Sequence, residues 1–135
     1  MLTKPALSLA EAKSAAAAAA AVATENGWKV VIAILDDGGN LLYLERADGT
    51  QAGSVDVAIA KGRTAIMFKR PTKAFEETVA GGRTVMMMLP GVVPVEGGLP
   101  LIYQGTVVGS VGVSGVQSSQ DGQIAKGAAD YIAAL

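Results

Sequence analysis

Asp36-Asp37-Gly38-Gly39-Asn40 lies between two apolar runs and constrains this chain more than any other segment. Gly, Asn and Asp all tolerate positive φ, so an unbroken run of them predicts a tight reversal. The run before it, Trp28 to Leu35, is rich in Val and Ile and reads as a strand buried on both faces. Leu41 to Glu45 returns as a second strand, and so short a connection forces the pair to be antiparallel. Asp36 and Asp37 are explained by the turn. A calcium loop would need further carboxylates at regular spacing.

The rest of the chain alternates helical and extended signals. Ser8 with Glu11 forms a capping-box signature ahead of an Ala-rich stretch, which predicts a long helix ending at Gly27. Gly53 or Ser54 opens a second helix reaching about Phe68, and Pro71 ends it. A short helix over Thr72 to Glu77 follows. Val85 to Val95 holds Met86-Met87-Met88, Pro90 and Pro94 and is too interrupted for one clean element. Glu96-Gly97-Gly98-Leu99-Pro100 reads as a turn, and Leu101 to Tyr103 as a strand. Gln104-Gly105 then reverses the chain into a strand over Thr106 to Val113. Ser118 or Ser119 caps a last helix from Gln120 to Ala134. Hairpins at both ends of the sheet predict an antiparallel α+β domain over residues 1–135. No glycine motif links a parallel strand to a phosphate-facing helix, so a dinucleotide or P-loop fold is excluded.

Composition narrows the chemistry. The 135 residues include no Cys and no His. That excludes disulfides, thiolate nucleophiles, imidazole bases and His-ligated haem or zinc. The balance of 11 Lys and Arg against 12 Asp and Glu gives a net charge of −1, without the basic face that nucleic acid requires. No apolar run reaches the roughly 20 residues that span a bilayer. Ala is too weakly apolar for a secretory signal core, and Glu11 and Lys13 lie just upstream, so the chain reads as a mature cytoplasmic protein.

Chemistry must then come from Lys, Arg, carboxylates, hydroxyls, backbone groups or a bound cofactor. The strand Val107 to Gly115 carries Val107, Gly109, Val111 and Val113 on one face and Val108, Ser110, Gly112 and Ser114 on the other. Glycines in a strand mark close approach of another backbone or a ligand, and the Ala-rich helix is the expected neighbour. Among the basic residues, Arg46, Lys61 and Arg63 read either as solvated side chains or as a carboxylate clamp. Backbone amides around Gly97 and Gly98 can form an anion nest. Consecutive methionines cannot share one face, so Met86-Met87-Met88 reads as core filler or subunit contact.

Taken together, Asp36-Asp37-Gly38-Gly39, Arg46-Ala47-Asp48-Gly49, Ala60-Lys61-Gly62-Arg63-Thr64-Ala65, Gly97-Gly98-Leu99-Pro100, Gly109 to Gly115 and Asp121 resemble, in that order, the GlcG/HbpS-like proteins. The family is also described as haem-binding or haem-degrading. The resemblance implies a central antiparallel sheet of about five strands flanked by helices, a profilin-like sandwich assembled as a homo-oligomer. It also implies a binding site from Arg46 and Asp48, Lys61 and Thr64, and Glu96, Gly97 and Gly98. Without His, haem iron would fall to Tyr43, Tyr103, Lys61 or a Met. The expected function is binding of a small organic acid or a planar cofactor such as haem or flavin. The alternative, drawn from lyase relatives acting on hydroxylamino-aromatic acids, is a lyase or isomerase. There Lys61 or Glu96 does the acid–base work and Arg46 or Arg63 holds the carboxylate.

Overall fold

Helix α1 (Leu9–Asn26) begins where the capping box predicts. The Ser8 hydroxyl accepts the Glu11 N–H at 3.2 Å, and the Glu11 carboxylate accepts the Ser8 N–H at 2.9 Å. Gly27, at φ 68°, closes the helix in the left-handed region. Ser8→Ala removes the reciprocal cap and is expected to lower stability by about 1 kcal/mol, read from the urea midpoint at constant slope.

The computed structural model describes residues 1–135. Four antiparallel strands, β1 (Val31–Asp36), β2 (Leu41–Arg46), β3 (Gly98–Tyr103) and β4 (Thr106–Ser114), lie in the order β2-β1-β4-β3. Helices α1 and α4 (Ser118–Ala133) cover one face, and α2 (Ser54–Phe68) crosses the other, with α3 (Thr72–Ala80) beside it. The result is one α+β domain.

The sheet has four strands where about five were expected. Pro90 and Pro94 cannot donate to a ladder, and the Met segment instead winds into a 3-10 turn, Thr84–Met88, none of it buried. Strand β3 also starts earlier than expected, at Gly98, so the predicted turn shrinks to the residues before it. Pro100 is tolerated because β3 is an edge strand. The last helix is capped by Gln117, whose side chain pairs reciprocally with Gln120, rather than by Ser118 or Ser119.

Burial alternates as a doubly covered strand requires. Ile32 and Ile34 of β1 join the large core beneath α1 and α4, together with Val111, Val113, Ile124 and Ile132. Val31, Ala33 and Leu35 face α2. The small face of β4 receives α2, not the Ala-rich helix. Ser110 Oγ donates to the Gly62 carbonyl at 2.7 Å, and Ser114 Oγ lies 3.2 Å from Ser54 Oγ. Any Cβ on Gly112 would overlap the Ala58 carbonyl oxygen. Helix α1 instead uses its alanines against α4, where a Cβ on Gly127 would lie 3.0 Å from the Ala18 carbonyl oxygen.

Helix α2 ends at Lys69, a non-glycine residue held at φ 51°, ψ 46°. That conformation costs an L-residue roughly 1–2 kcal/mol.

Candidate functional site

Most of the sequence-predicted residues converge where the Gly97 turn meets α2 and the start of α4. Lys61 sits on the inner face of α2, among Ala58, Gly62 and Ala65, and small neighbours let the helix approach the sheet closely enough to bury it. Its side chain is 2% exposed. The ammonium donates to the Val113 carbonyl and to Asp121 Oδ2, both at 3.0 Å. An ammonium carries three donors, so one is left without a protein acceptor. Gly97 lies against it. A Cβ there would stand 2.8 Å from Lys61 Nζ and 2.6 Å from the Val113 oxygen, and φ of 134° also restricts the position to glycine.

Asp121, also 2% exposed, lies in the first turn of α4. Its Oδ1 accepts the Val116 N–H at 3.2 Å. Burial pushes its carboxyl above the ordinary aspartate range, while the Lys61 ammonium and the Val116 and Gly115 amides pull it back. The positive end of α4 favours the same ionised form.

Glu96 is half-buried, and its carboxylate lies over Gly122, where a Cβ would overlap Oε2. Its N–H donates to Glu76 Oε1 at 3.2 Å. Gly98 is packed on the Lys61 carbonyl, and its N–H donates to the buried Thr72 hydroxyl at 2.9 Å. Thr64 stands one turn along α2 from Lys61. Its hydroxyl is 2.9 Å from the Ala60 oxygen and 3.2 Å from that of Gly91, and it accepts the Val93 N–H at 3.0 Å. Thr64 thus fastens the strip over residues 91–93 to α2.

Arg46 and Asp48 do not join this group. They are exposed at the end of β2, three strands from β3, which at ordinary strand spacing is roughly 14 Å away. The Asp48 carbonyl instead accepts from Lys29 Nζ at 3.2 Å. Arg63 turns to the opposite end of the sheet, where its Nε donates to the Gly39 carbonyl at 3.5 Å. Sequence reasoning named Asp121 only as part of the family pattern and missed Thr72. An acid in the first turn of a helix, at the position that faces the sheet with Ile124 and Ala125, was the available signal for Asp121; Thr72 offered none beyond following a proline.

No helix is long and apolar enough to cross a membrane, and no cluster of three acidic side chains is arranged to hold a metal. The family model described as "Haem degrading protein HbpS-like" matches residues 7–130. Protein GlcG of Escherichia coli K12 is 42% identical over 114 residues, spanning 84% of this chain and 85% of GlcG. The crystal structure of Klebsiella pneumoniae protein ORFY superposes with a TM-score of 0.92 at 32% identity, covering 100% of this chain and 96% of ORFY. A PduOC–haem complex superposes with a TM-score of 0.83 at 27% identity, covering 94% of this chain and 95% of PduOC. A family match over nearly the whole chain, together with 42% identity to GlcG across most of both chains, places this protein in the HbpS-like family.

Proposed function

We propose that this protein is an oligomeric small-molecule binding protein acting in the cytoplasm, and that its ligand is a small organic acid held at the Gly97 turn. The observation that carries this reading is the buried Lys61 ammonium, with one donor unused beside a wall of backbone at Gly97 and Gly98. A carboxylate meets that chemistry with a charge-assisted hydrogen bond. Entry requires the strip over residues 91–96 to lift from Thr64.

Haem, which the related PduOC structure holds, finds no ready ligand in this chain at Lys61, Tyr43 or Tyr103. Lys61 is committed to Asp121, and Tyr43 packs against the main core. Tyr103 lines a cleft of about 220 Å³, below the roughly 300 Å³ at which ligand pockets begin. Assembly is supported by Val85 and Met88, 59% and 80% exposed on the 3-10 turn, which present apolar surface that a second subunit would cover.

Titration of the labelled protein with glycolate, glyoxylate and benzoate is expected to shift the Gly97 and Gly98 amides saturably and to raise Tm. Amides that stay unmoved with all three acids would overturn the reading. Sedimentation is expected to show a species heavier than the 13.6 kDa protomer.

The second reading, a lyase or isomerase, rests on Lys61, Asp121 and Glu96 meeting in one cluster where burial raises an acid. Glu96 is its proton-transfer group. Turnover of a hydroxylaminobenzoate that is unaffected by Glu96→Gln would remove that assignment.

A further inference from the structure

The opposite end of the sheet holds a feature that the Gly97 site does not use. Between the two hairpins lies a cleft of about 460 Å³, lined by Lys4, Asp37, Lys69, Ile66, Thr106 and Val107 among others. Its volume falls within the range of small-molecule pockets. Lys4 is ion-paired with Asp37, whereas Lys69 has no carboxylate partner. The lining therefore carries two ammonium groups against one carboxylate, with Ile66 and Val107 as an apolar wall.

A second observation concerns the backbone. Lys69 is the left-handed residue that ends α2, a place where glycine is usual because it carries no strain. Its N–H donates to the Ala65 carbonyl, which glycine would do equally well. Strain retained at a residue lining a cleft points to a use for its side chain. A cation also suits the negative end of a helix, but that preference is met at any position in the last turn and does not require the left-handed one.

We propose that this cleft is a second ligand site, separate from the Gly97 turn, taking a small monocarboxylate whose charge pairs with Lys69 and whose apolar body rests on Ile66 and Val107. Lys4 gives the carboxylate a second ammonium, and the Thr106 hydroxyl supplies a neutral donor at the mouth. One carboxylate leaves the lining neutral, whereas a dianion would have to draw Lys4 away from Asp37.

The test is an amide-shift titration of the full chain with benzoate, with benzyl alcohol as the uncharged control. Benzoate is expected to give saturable shifts at Ile66, Thr106 and Val107, and benzyl alcohol to bind about tenfold more weakly or not at all. Lys69→Gln keeps a long side chain but no charge and is expected to weaken benzoate binding about tenfold. Lys69→Gly is expected to weaken it equally while raising Tm by about 3 °C, because the strain is relieved. The proposal is overturned if Lys69→Gln binds as the parent does, or if benzoate gives no saturation up to about 50 mM. Shifts confined to Gly97 and Gly98 would overturn it too, while supporting the first site; shifts confined to Ile66, Thr106 and Val107 would support it and show that benzoate is not a ligand of the first site.

Discussion

Gly112→Ala is expected to cost about 3–5 kcal/mol, a large share of the stability of a domain this size. The added methyl has nowhere to go. It would overlap the Ala58 carbonyl oxygen and press on the Gly62 amide, both of them backbone of α2, so no rotamer change makes room. Helix α2 must then lift from β4, lengthening the Ser110–Gly62 hydrogen bond and opening the space around Lys61. Gly53→Ala is the matched control. That residue has φ of −60° and nothing within 4 Å of a new Cβ, so the change is expected to leave stability unaltered or raise it by about 0.5 kcal/mol. Urea unfolding of the two variants reads both effects. A Gly112→Ala protein as stable as the parent would mean that α2 does not lie on β4 as described.

Breaking the buried pair should be nearly as severe, and its pH dependence has a definite sign. Lys61→Met leaves the Asp121 carboxylate buried without its cation, at an expected cost of about 3–5 kcal/mol at neutral pH. The variant then escapes part of that cost by protonating Asp121. With the cation gone, the folded-state carboxyl titrates further above its unfolded value, so the folded protein binds more protons than the unfolded one across that interval. Stability of Lys61→Met therefore falls as pH rises through that interval and recovers on acidification. Adding Asp121→Asn removes the second charge but keeps an acceptor for the Val116 N–H. The double variant is expected to regain most of the loss and to lose the pH dependence. Denaturant midpoints measured between pH 4 and pH 8, the span in which a raised carboxyl titrates, decide it. A Lys61→Met protein with a flat profile and parental stability would show that the pair is not buried as a unit.

Much of the fold was legible because its signals are local. The capping box at Ser8, the glycine stop at Gly27 and the Asp36–Asn40 reversal depend on residues within a few positions of one another. The alternation in β4 announced a close approach, but not by what. Both α1 and α2 carry small residues, and only the path of the chain puts α2 on the face that holds Ser110, Gly112 and Ser114. The segment over Val85 to Val95 was legible as interrupted, since its two prolines withdraw the donors a strand needs, but not as the 3-10 turn that forms at its start.

The candidate site divides along the same line. Lys61, Glu96, Gly97 and Gly98 stand out in sequence because charge or glycine is unusual in such settings, and the fold brings these four together. Arg46 and Asp48 look equally prominent, yet lie on the far edge of the sheet. What the sequence determined by itself was the set of elements, their hairpin pairings and the chemistry left once Cys and His are absent. What only the tertiary structure decided was partnership: that Lys61 faces Asp121 across 60 positions of chain, that Thr72 satisfies Gly98, and that Lys4 and Lys69 line one cleft. The physical reason is range. Turns and caps are closed by neighbours along the chain, whereas a buried charge finds its counterion only when packed helices and strands bring distant residues within hydrogen-bond reach.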